Sequence, residues 1–375
     1  MSLDQKIRQL NHRRIDFFRA IKLHLTYLFC RVVQTDFVRS QPQPPHFLVL
    51  RLDDKLGDSI TSTGFLKCLK NSDASAKVTV VTGPQTVELY KRLNFVDQVF
   101  ESRKGVVNTL QLLKKLKKEE NFSALINTSH ILNPRTLFLT AALKSVRKIS
   151  FGNSRIHIFS DFINIDFLKE HVTGRYKKVL DLLGIRFQDG DLKYRVQIAD
   201  QAKADVKPAL EHFKTNGIKL VALNLFAGGK LRNLNREKAH ELIHLLVVES
   251  NLKVVFLANE GDHRILKQWG LAQLEGVLAL NHLCTLQHNI ALAESSDIIV
   301  TPDTAWVHIA SALDKKLVAI YRDDRDSAEA NSVIWAPYLT PFRIVYSRSD
   351  LAKPHDINDV NLNDVKKAVE QILDI

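Results

Sequence analysis

From residue 47 onward, short apolar runs alternate with longer stretches in which apolar residues recur every three or four positions. The short runs have the length and β-branched content of buried parallel strands, and the longer stretches have the spacing of helices that bury one face. Such alternation predicts an α/β fold built from doubly wound parallel sheets. The predicted strands are Phe47–Arg51, Lys77–Val81, Gln98–Glu101, Ala124–Asn127, Arg147–Ser150, Leu220–Asn224, Lys253–Leu257, Asp297–Val300 and Leu317–Tyr321.

The 375 residues are too many for one ordinary core, so the pattern predicts two domains. Asn216 and Gly217 form a turn signal that suits a hinge between them. We predict an N-terminal Rossmann-like domain over 46–215, a C-terminal one over 216–345, and a tail with a closing helix over 346–375. The predicted helices cover about 60–69, 84–93, 105–120, 134–143, 171–183, 200–215, 236–249, 262–274, 286–295, 304–313 and 362–373.

Residues 1–45 differ from the rest because they contain eight Lys and Arg against three acidic residues. Apolar residues also repeat there at helical spacing, which predicts a basic amphipathic helix. Such a helix suits an anionic membrane surface, or it packs on the protein's own core; the pattern leaves both open. The repeating positions are Ile15, Phe18, Ile21, Leu25, Leu28 and Val32.

The composition narrows the function classes. The formal net charge of +12 favours polyanionic partners, but no nucleic-acid-binding signature is present. Three scattered cysteines without a CxxC pair argue against a disulfide framework or a zinc site. No apolar stretch reaches the roughly 20 residues of a membrane span, and no signal peptide is evident. We therefore expect a cytoplasmic protein.

The stretch 297–313 has the strongest chemical signature. An apolar strand ends at Pro302, and Asp303 and Thr304 are both suitable N-caps for the helix that follows. Free N–H groups at such a helix start bind anions, typically a phosphate. His308 lies four residues beyond Thr304, so both side chains can face one crevice. The alternative is an ordinary strand–turn–helix connection without a ligand.

Two further polar stretches follow predicted strands. Asp58 stands directly after Gly57 near the carboxyl end of the first strand, where a carboxylate can take a proton from a substrate hydroxyl. Its alternative role is to cap a helix that begins at Ser59. The loop Ala227–Arg232 is similar to a small phosphate-binding loop but lacks the spacing of a P-loop or a GxGxxG fingerprint. Its candidate contacts are Gly228, Gly229, Lys230 and Arg232.

The acidic pair Asp324 and Asp326 formally matches the DxD motif that binds a divalent cation and a nucleotide-sugar in some glycosyltransferases. The two acids alternate with arginines in a predicted solvated loop, which is typical of a chance match. The histidines have no metal-binding spacing, so we predict no metal.

Taken together, Arg51–Ser59, the loop 227–237 and Asp297–Leu313 resemble glycosyltransferase family 9, the ADP-heptose:lipopolysaccharide heptosyltransferases. The last stretch is the most specific of the three. Two departures from the family pattern are visible. Ala305 replaces the usual glycine after Asp-Thr, and the segment after Arg232 lacks the usual aromatic residue.

The resemblance implies a GT-B architecture, in which two Rossmann-like domains face a central cleft. It implies inverting, metal-independent transfer of heptose from ADP-heptose to a lipid-anchored, phosphorylated inner-core acceptor, without a cofactor. The enzyme would lie peripherally on the inner face of the inner membrane. Open alternatives are a different nucleotide-sugar, or a non-catalytic relative that binds a lipid-linked or other polyanion. The acceptor hydroxyl and the oligomeric state also stay open.

The resemblance also implies roles for single residues. Asp58 would be the general base, and Arg232, with Lys230, would stabilise the departing diphosphate. Arg135 would contact acceptor phosphates. The base must reach the hydroxyl from the side of the sugar opposite the diphosphate, so we expect the two groups on different domains. The implied donor-binding residues are Gly228, Gly229, Lys230, Asp262 (or Glu260), Asp303, Thr304, Ala305 and His308.

Overall fold

The computed structural model describes residues 21–119, 121–129, 132–152, 156–166, 169–214, 217–323, 325, 330–348 and 356–375. Contacts between residues divide the chain into two compact units. Unit 1 contains the residues up to Lys55 together with Phe65–Ile165 and Arg175–Phe187. Unit 2 contains Leu56–Gly64, Asp166–Gly174 and Gln188–Ile375.

Unit 1 is built on a six-stranded parallel sheet with strand order β3-β2-β1-β4-β5-β6. The strands are β1 His46–Arg51, β2 Lys77–Thr82, β3 Gln98–Glu101, β4 Phe122–Asn127, β5 Ser145–Phe151 and β6 Asp161–Ile163. The helices are α1 (residues 21–33), α3 Thr63–Asn71, α4 Val87–Lys91, α5 Val106–Leu116, α6 Pro134–Ala142 and α7 Val172–Leu182. Helices α3 and α7 begin with two and three residues that belong to unit 2. This arrangement confirms the predicted doubly wound α/β fold.

Unit 2 repeats the architecture with a six-stranded parallel sheet of order β12-β11-β10-β7-β8-β9. Its strands are β7 Leu220–Leu223, β8 Lys253–Phe256, β9 Val277–Leu278, β10 Ile298–Pro302, β11 Lys316–Tyr321 and β12 Phe342–Tyr346. Its helices are α2 Leu56–Thr61, α8 Asp200–Phe213, α9 Arg236–His244, α10 Glu260–Gln268, α11 Leu286–Ser295, α12 Ala305–Ala312, α13 Asn331–Ile334 and α14 Leu362–Leu373.

Both sheets are buried on two faces, which explains why their strands are nearly continuous apolar runs. All six residues of β1 are buried. In unit 2, one apolar cluster joins the sheet to α9, α10 and α14, and a second joins it to α8, α11 and α12. The closing helix α14, predicted to lie across either domain, therefore packs in unit 2.

Several element limits differ from the predictions for identifiable reasons. Strands β6 and β9 were not predicted because they contain only three and two residues. Strand β12 was not predicted either, since most of its five residues are exposed or half-buried and it is not a continuous apolar run. Helix α8 was predicted in the first domain, but its apolar face packs in unit 2 beside α11. Asn216, the predicted hinge residue, lies outside the described residues. Pro302 is the last residue of β10, as its missing N–H requires.

Within the described ranges, no helix combines the length and the apolar character that crossing a bilayer requires.

The junction between α2 and α3 packs closely on the segment 192–195. The Arg195 N–H donates to the Thr63 hydroxyl at 2.7 Å. A Cβ atom at Gly64 would lie only 2.3 Å from the Leu192 carbonyl oxygen, far inside van der Waals contact. Glycine at position 64 therefore lets the α2–α3 turn approach this backbone.

We expect Gly64→Ala to lower the free energy of unfolding by about 2 kcal/mol or more, because backbone must move to admit the methyl group. Urea unfolding monitored by circular dichroism measures the change. Gly190→Ala is the matched control, since a Cβ there would meet nothing within 4 Å. Equal stability of the two variants would contradict the close approach.

Candidate functional site

The turn between β10 and α12 has the geometry of an anion-binding helix start. The backbone of Thr304 is extended, and its hydroxyl accepts a hydrogen bond from the Trp306 N–H at 3.1 Å. Thr304 is therefore the N-cap, which leaves the Asp303 side chain available for other contacts. The Val307 N–H donates to the Thr304 carbonyl at 3.1 Å, so among the described residues the N–H groups of Thr304 and Ala305 are the ones at this helix start that can bind an anion.

A network of buried polar side chains hydrogen-bonds to the residues of this turn. The Asn224 side-chain amide donates to the Thr301 hydroxyl at 2.9 Å and to the Phe226 carbonyl at 2.9 Å. The hydroxyls of Thr301 and Thr304 lie 3.1 Å apart. Asn224 was not predicted as a site residue. Its position directly after β7, at the carboxyl end of the strand, was the available signal.

The predicted phosphate loop contributes a cation to the same place. The Arg232 Nη1 lies 3.3 Å from the Asp303 Oδ2. A Cβ at Gly228 or Gly229 would lie 3.8 Å or 3.7 Å from the Arg232 guanidinium, an ordinary contact distance, so both glycines lie beside this side chain. The side chain of Lys230 lies outside what the structure describes. Arg232, Asp303 and the start of α12 thus converge within unit 2.

Helix α2 packs directly on α12. A Cβ at Gly57 would lie 3.1 Å from the His308 Cδ2 and 3.4 Å from the Ala305 Cα, so glycine allows this contact. Asp58 follows in the first turn of α2. Because the helix begins at Leu56, Asp58 does not cap a helix that starts at Ser59, and the capping alternative is wrong.

Asp58 and the turn before α12 therefore belong to the same compact unit. The sequence predicts them on different domains, because β1, which precedes Asp58, belongs to the first sheet. The physical reason for the difference is the contact at Gly57. It attaches a helix of only six residues to α12, although β1 lies in unit 1.

His308 is buried and uncharged at neutral pH. Burial lowers the pKa of its imidazole to about 4, although the nearby Asp58 carboxylate raises it and His171 lowers it further. The rings of Tyr194 and Trp335 stand edge-on to it, with centroids at 5.8 Å and 6.0 Å. Among the described residues, its Nδ1 has no hydrogen-bond partner. His308 therefore cannot hold a diphosphate by charge.

A second histidine lines the same part of unit 2. The imidazole of His171 has its Nδ1 2.7 Å from the Thr173 hydroxyl and its Nε2 3.1 Å from the Ala336 carbonyl. Its ring stacks on Tyr338, with centroids at 5.4 Å. The sequence analysis did not select these aromatic residues, since nothing in the pattern brings residues 171, 194 and 338 together.

Asp262 has a structural role at the start of α10. Its carboxylate accepts from the Asn259 N–H at 3.3 Å, and its own N–H donates to the Asn259 side chain at 3.0 Å. This is a capping box, and burial raises the pKa of the Asp262 carboxyl. A contact between Asp262 and the nucleotide stays a prediction. Glu260, the alternative, is exposed.

Arg135 belongs to unit 1, at the start of α6. Its Nη1 donates to the Ser102 hydroxyl at 3.0 Å and to the Ser102 carbonyl at 3.3 Å. Burial lowers the pKa of the guanidinium, and the Asp54 carboxylate partly offsets that shift. The side chain is thus anchored at the carboxyl ends of the strands, where a ligand is expected. Its acceptor contact stays a prediction.

Across the described part of the chain, no group of three or more His, Cys, Asp or Glu side chains could hold a metal ion. Asp324 and Asp326 of the DxD motif lie outside the described residues. Next to them, the Arg325 Nη2 lies 2.7 Å from the Asp323 Oδ2, so the Asp323 carboxylate forms an ion pair with Arg325.

Comparison with known proteins identifies similar chains. The family model of glycosyltransferase family 9 (heptosyltransferase) matches residues 109–345, which is more than half of the chain. That match begins beyond Asp58. A curated Escherichia coli K12 protein, provisionally named lipopolysaccharide heptosyltransferase 4, is 23% identical over 336 residues, covering 87% of this chain and 88% of the relative.

Two solved structures show the same fold. The family 9 glycosyltransferase from Veillonella parvula has a TM-score of 0.73 at 16% identity and covers 89% of this chain and 98% of its own. The E. coli heptosyltransferase WaaC with ADP has a TM-score of 0.66 at 14% identity and covers 87% of this chain and 99% of its own. The two parallel sheets therefore form the α/β, GT-B fold of these enzymes.

The buried His308 predicts a specific pH dependence of stability. Its folded pKa of about 4 lies below the ordinary 6.5, so the unfolded chain binds the proton first. The neutral imidazole's contribution to the free energy of unfolding is complete above pH 6.5. It declines by about 3 kcal/mol in total as the pH falls towards 4.

Urea unfolding of His308→Gln at several pH values measures this contribution. We expect the variant to lose less stability than the wild type between pH 7 and pH 4, whatever its stability at pH 7. His212→Gln, at an exposed position on α8, is the control and should follow the wild type. Parallel pH curves for wild type and His308→Gln would contradict the buried neutral imidazole.

Proposed function

Because the chain belongs to glycosyltransferase family 9 (heptosyltransferase), we propose that it transfers heptose from ADP-heptose to an inner-core sugar of lipopolysaccharide, with inversion and without a metal. The observation that supports this most is the packing of α2 on α12, which puts Asp58 near an anion-binding helix start. The names of two solved relatives state complexes with ADP and with ADP-2-deoxy-2-fluoro heptose. These relatives support a nucleotide-sugar donor for this chain.

The donor diphosphate would bind at the start of α12. The Thr304 and Ala305 N–H groups and the helix dipole supply fixed positive potential, and the Arg232 guanidinium supplies a full charge. In the structure this guanidinium pairs with the Asp303 carboxylate, which directly precedes the N-cap Thr304. A bound diphosphate would share the guanidinium with Asp303. As the bond between the sugar carbon and the phosphate oxygen breaks, these groups would stabilise the growing negative charge.

Asp58 would take the proton of the acceptor hydroxyl as its oxygen attacks the sugar carbon. The attack comes from the side opposite the departing diphosphate, so the configuration at that carbon inverts. The neutral His308 matters here, because a protonated imidazole would pair with the carboxylate and make it a poorer proton acceptor. In this proposal His308 positions Asp58, because its ring packs on Gly57 of α2. It does not bind the donor as a cation.

The acceptor would be lipid-linked and phosphorylated, with Arg135 among its contacts. The net charge of +12 suits such an acceptor and an anionic membrane surface, so we place the enzyme peripherally on the inner face of the inner membrane. Ala305 and Trp306, where the family pattern has a glycine, favour one alternative: a transferase with a different nucleotide-sugar. Comparing ADP-heptose with other nucleotide-sugars as donors tests it.

We expect Asp58→Asn to lower the rate of heptose transfer about 10²- to 10⁴-fold, because the amide cannot accept the hydroxyl proton. Mass spectrometry of the product from ADP-heptose and a truncated core acceptor measures transfer, and calorimetric titration with ADP measures nucleotide affinity, which should change little. Asp314→Asn is the control, since Asp314 adopts a positive φ that asparagine tolerates. Near-normal transfer by Asp58→Asn would remove Asp58 as the base.

Stabilisation of the diphosphate by Arg232 predicts opposite responses to two treatments. Arg232→Ala should lower the turnover number about 10²- to 10³-fold, whereas EDTA should leave the wild-type rate unchanged. Arg236→Ala, at the exposed start of α9, is the matched control. A loss of activity in EDTA that Mg²⁺ restores would instead support a metal at Asp324 and Asp326.

A further inference from the structure

Helix α1 is two-sided, and one side packs on unit 1. Its residues Leu23, Tyr27, Cys30 and Val33 belong to an apolar cluster that also contains residues of α6 and the segment 156–162. The chain after the helix is anchored as well, because the Thr35 N–H donates to the Ala141 carbonyl at 2.9 Å. Of the predicted repeating positions, Ile15 and Phe18 lie outside the described residues. Over residues 21–33, the prediction that the segment packs on the protein's own core is correct for one face of the helix.

The opposite side of α1 exposes large apolar side chains. Leu25 is 61% exposed and Val32 is 83% exposed, and neither belongs to the cluster beneath the helix. Helical spacing places these side chains along one stripe. A contiguous apolar stripe on a protein surface typically marks an interaction site. The exposed members are Ile21, Leu25, Leu28, Phe29 and Val32.

A second exposed apolar surface lies on α5, in the same helical layer. Val106 and Val107 at its start are 76% and 67% exposed, and Leu110 is exposed as well. The later residues of α5 are buried against α6, and α6 in turn contacts α1. Helix α6 therefore lies between the two exposed surfaces, which we call together the α1/α5 face.

Basic residues accompany both parts of the α1/α5 face. Lys22 and Arg31 are exposed on α1, and Arg103 and Lys104 precede α5. Residues 1–45 contain eight Lys and Arg against three acids. Apolar side chains surrounded by positive charge complement a bilayer of anionic lipid, where the apolar groups enter the acyl boundary and the cations meet headgroups.

We propose that the α1/α5 face is the surface by which this protein docks on an anionic membrane, with both apolar parts inserted into one leaflet. This deepens the membrane placement, and to that extent it rests on the proposed function. It identifies the docking residues and assigns α1 two roles, namely attachment to unit 1 and insertion into lipid. Vesicle binding tests it without any sugar transfer, so either proposal can fail while the other stands.

The test measures co-sedimentation of the full-length protein with vesicles of phosphatidylglycerol and phosphatidylcholine. Leu25→Glu/Leu28→Glu and Val106→Glu/Val107→Glu should each weaken binding about tenfold or more, because each variant adds two anions to an inserted apolar surface. Val248→Glu is the matched control, since Val248 is an exposed apolar residue of unit 2. Circular dichroism should show that all variants are folded.

We expect wild-type binding to fall in pure phosphatidylcholine vesicles and at high salt, because headgroup attraction is electrostatic. Wild-type binding by either double variant would overturn the proposal, and so would an equal loss in Val248→Glu. Undiminished binding to neutral vesicles would also overturn it. A further result would also overturn it: the wild type does not bind vesicles but forms stable dimers, and Leu25→Glu/Leu28→Glu abolishes the dimers. A second copy of the chain would then cover the face instead.

Discussion

The contact between α2 and α12 at Gly57 is the constraint on which the site depends. With no side chain at position 57, the first turn of α2 lies against Ala305 and His308. That contact brings Asp58 near the start of a helix whose N–H groups attract anions. A Cβ at position 57 would lie 3.1 Å from the His308 Cδ2, a tight contact, and the His308 ring is itself packed against Tyr194 and Trp335.

Charge is distributed unevenly around this contact. Arg232 and the helix N–H groups supply positive potential on the side where a diphosphate would leave. The side of Asp58 has an imidazole that burial keeps neutral. This difference suits a reaction that needs a proton-accepting carboxylate and a diphosphate-binding cation in one site. Asp303 holds Arg232 through a 3.3 Å contact, which keeps the guanidinium beside the helix start.

Much of the fold could be predicted because buried parallel strands are continuous apolar runs. Two examples are the observed strands Leu220–Leu223 and Lys316–Tyr321, whose limits differ from the predicted ones by only one residue. Helix ends with a side-chain cap, such as Thr304, were also visible in the sequence. Strands of two or three residues have no such pattern. The grouping of α2 and α8 with unit 2 depends on packing between segments distant in the chain, which periodicity does not encode.

Part of the site was predictable because the pattern of strands also shows where the loops at their carboxyl ends lie. Residues in the loops that follow strands, such as Arg232 after β7 and Asp303 after β10, could be selected because carboxyl ends of parallel strands meet at one edge. The neutral state of His308 follows from burial, which a residue type cannot reveal. The capping box of α10, in which Asp262 pairs with the N-cap Asn259, also could not be told from a ligand contact by residue type alone. Asn224 was missed because its partners, Thr301 and Phe226, come together only in the folded chain.

The most direct measurement is a crystal structure of the protein with an unreactive ADP-heptose analogue. We expect diphosphate oxygens on the N–H groups of the first turn of α12 and on Arg232, with the Asp58 carboxylate across the sugar carbon from the leaving oxygen. A diphosphate bound away from α12, or an Asp58 carboxylate on the same side of the sugar as the diphosphate, would contradict the mechanism.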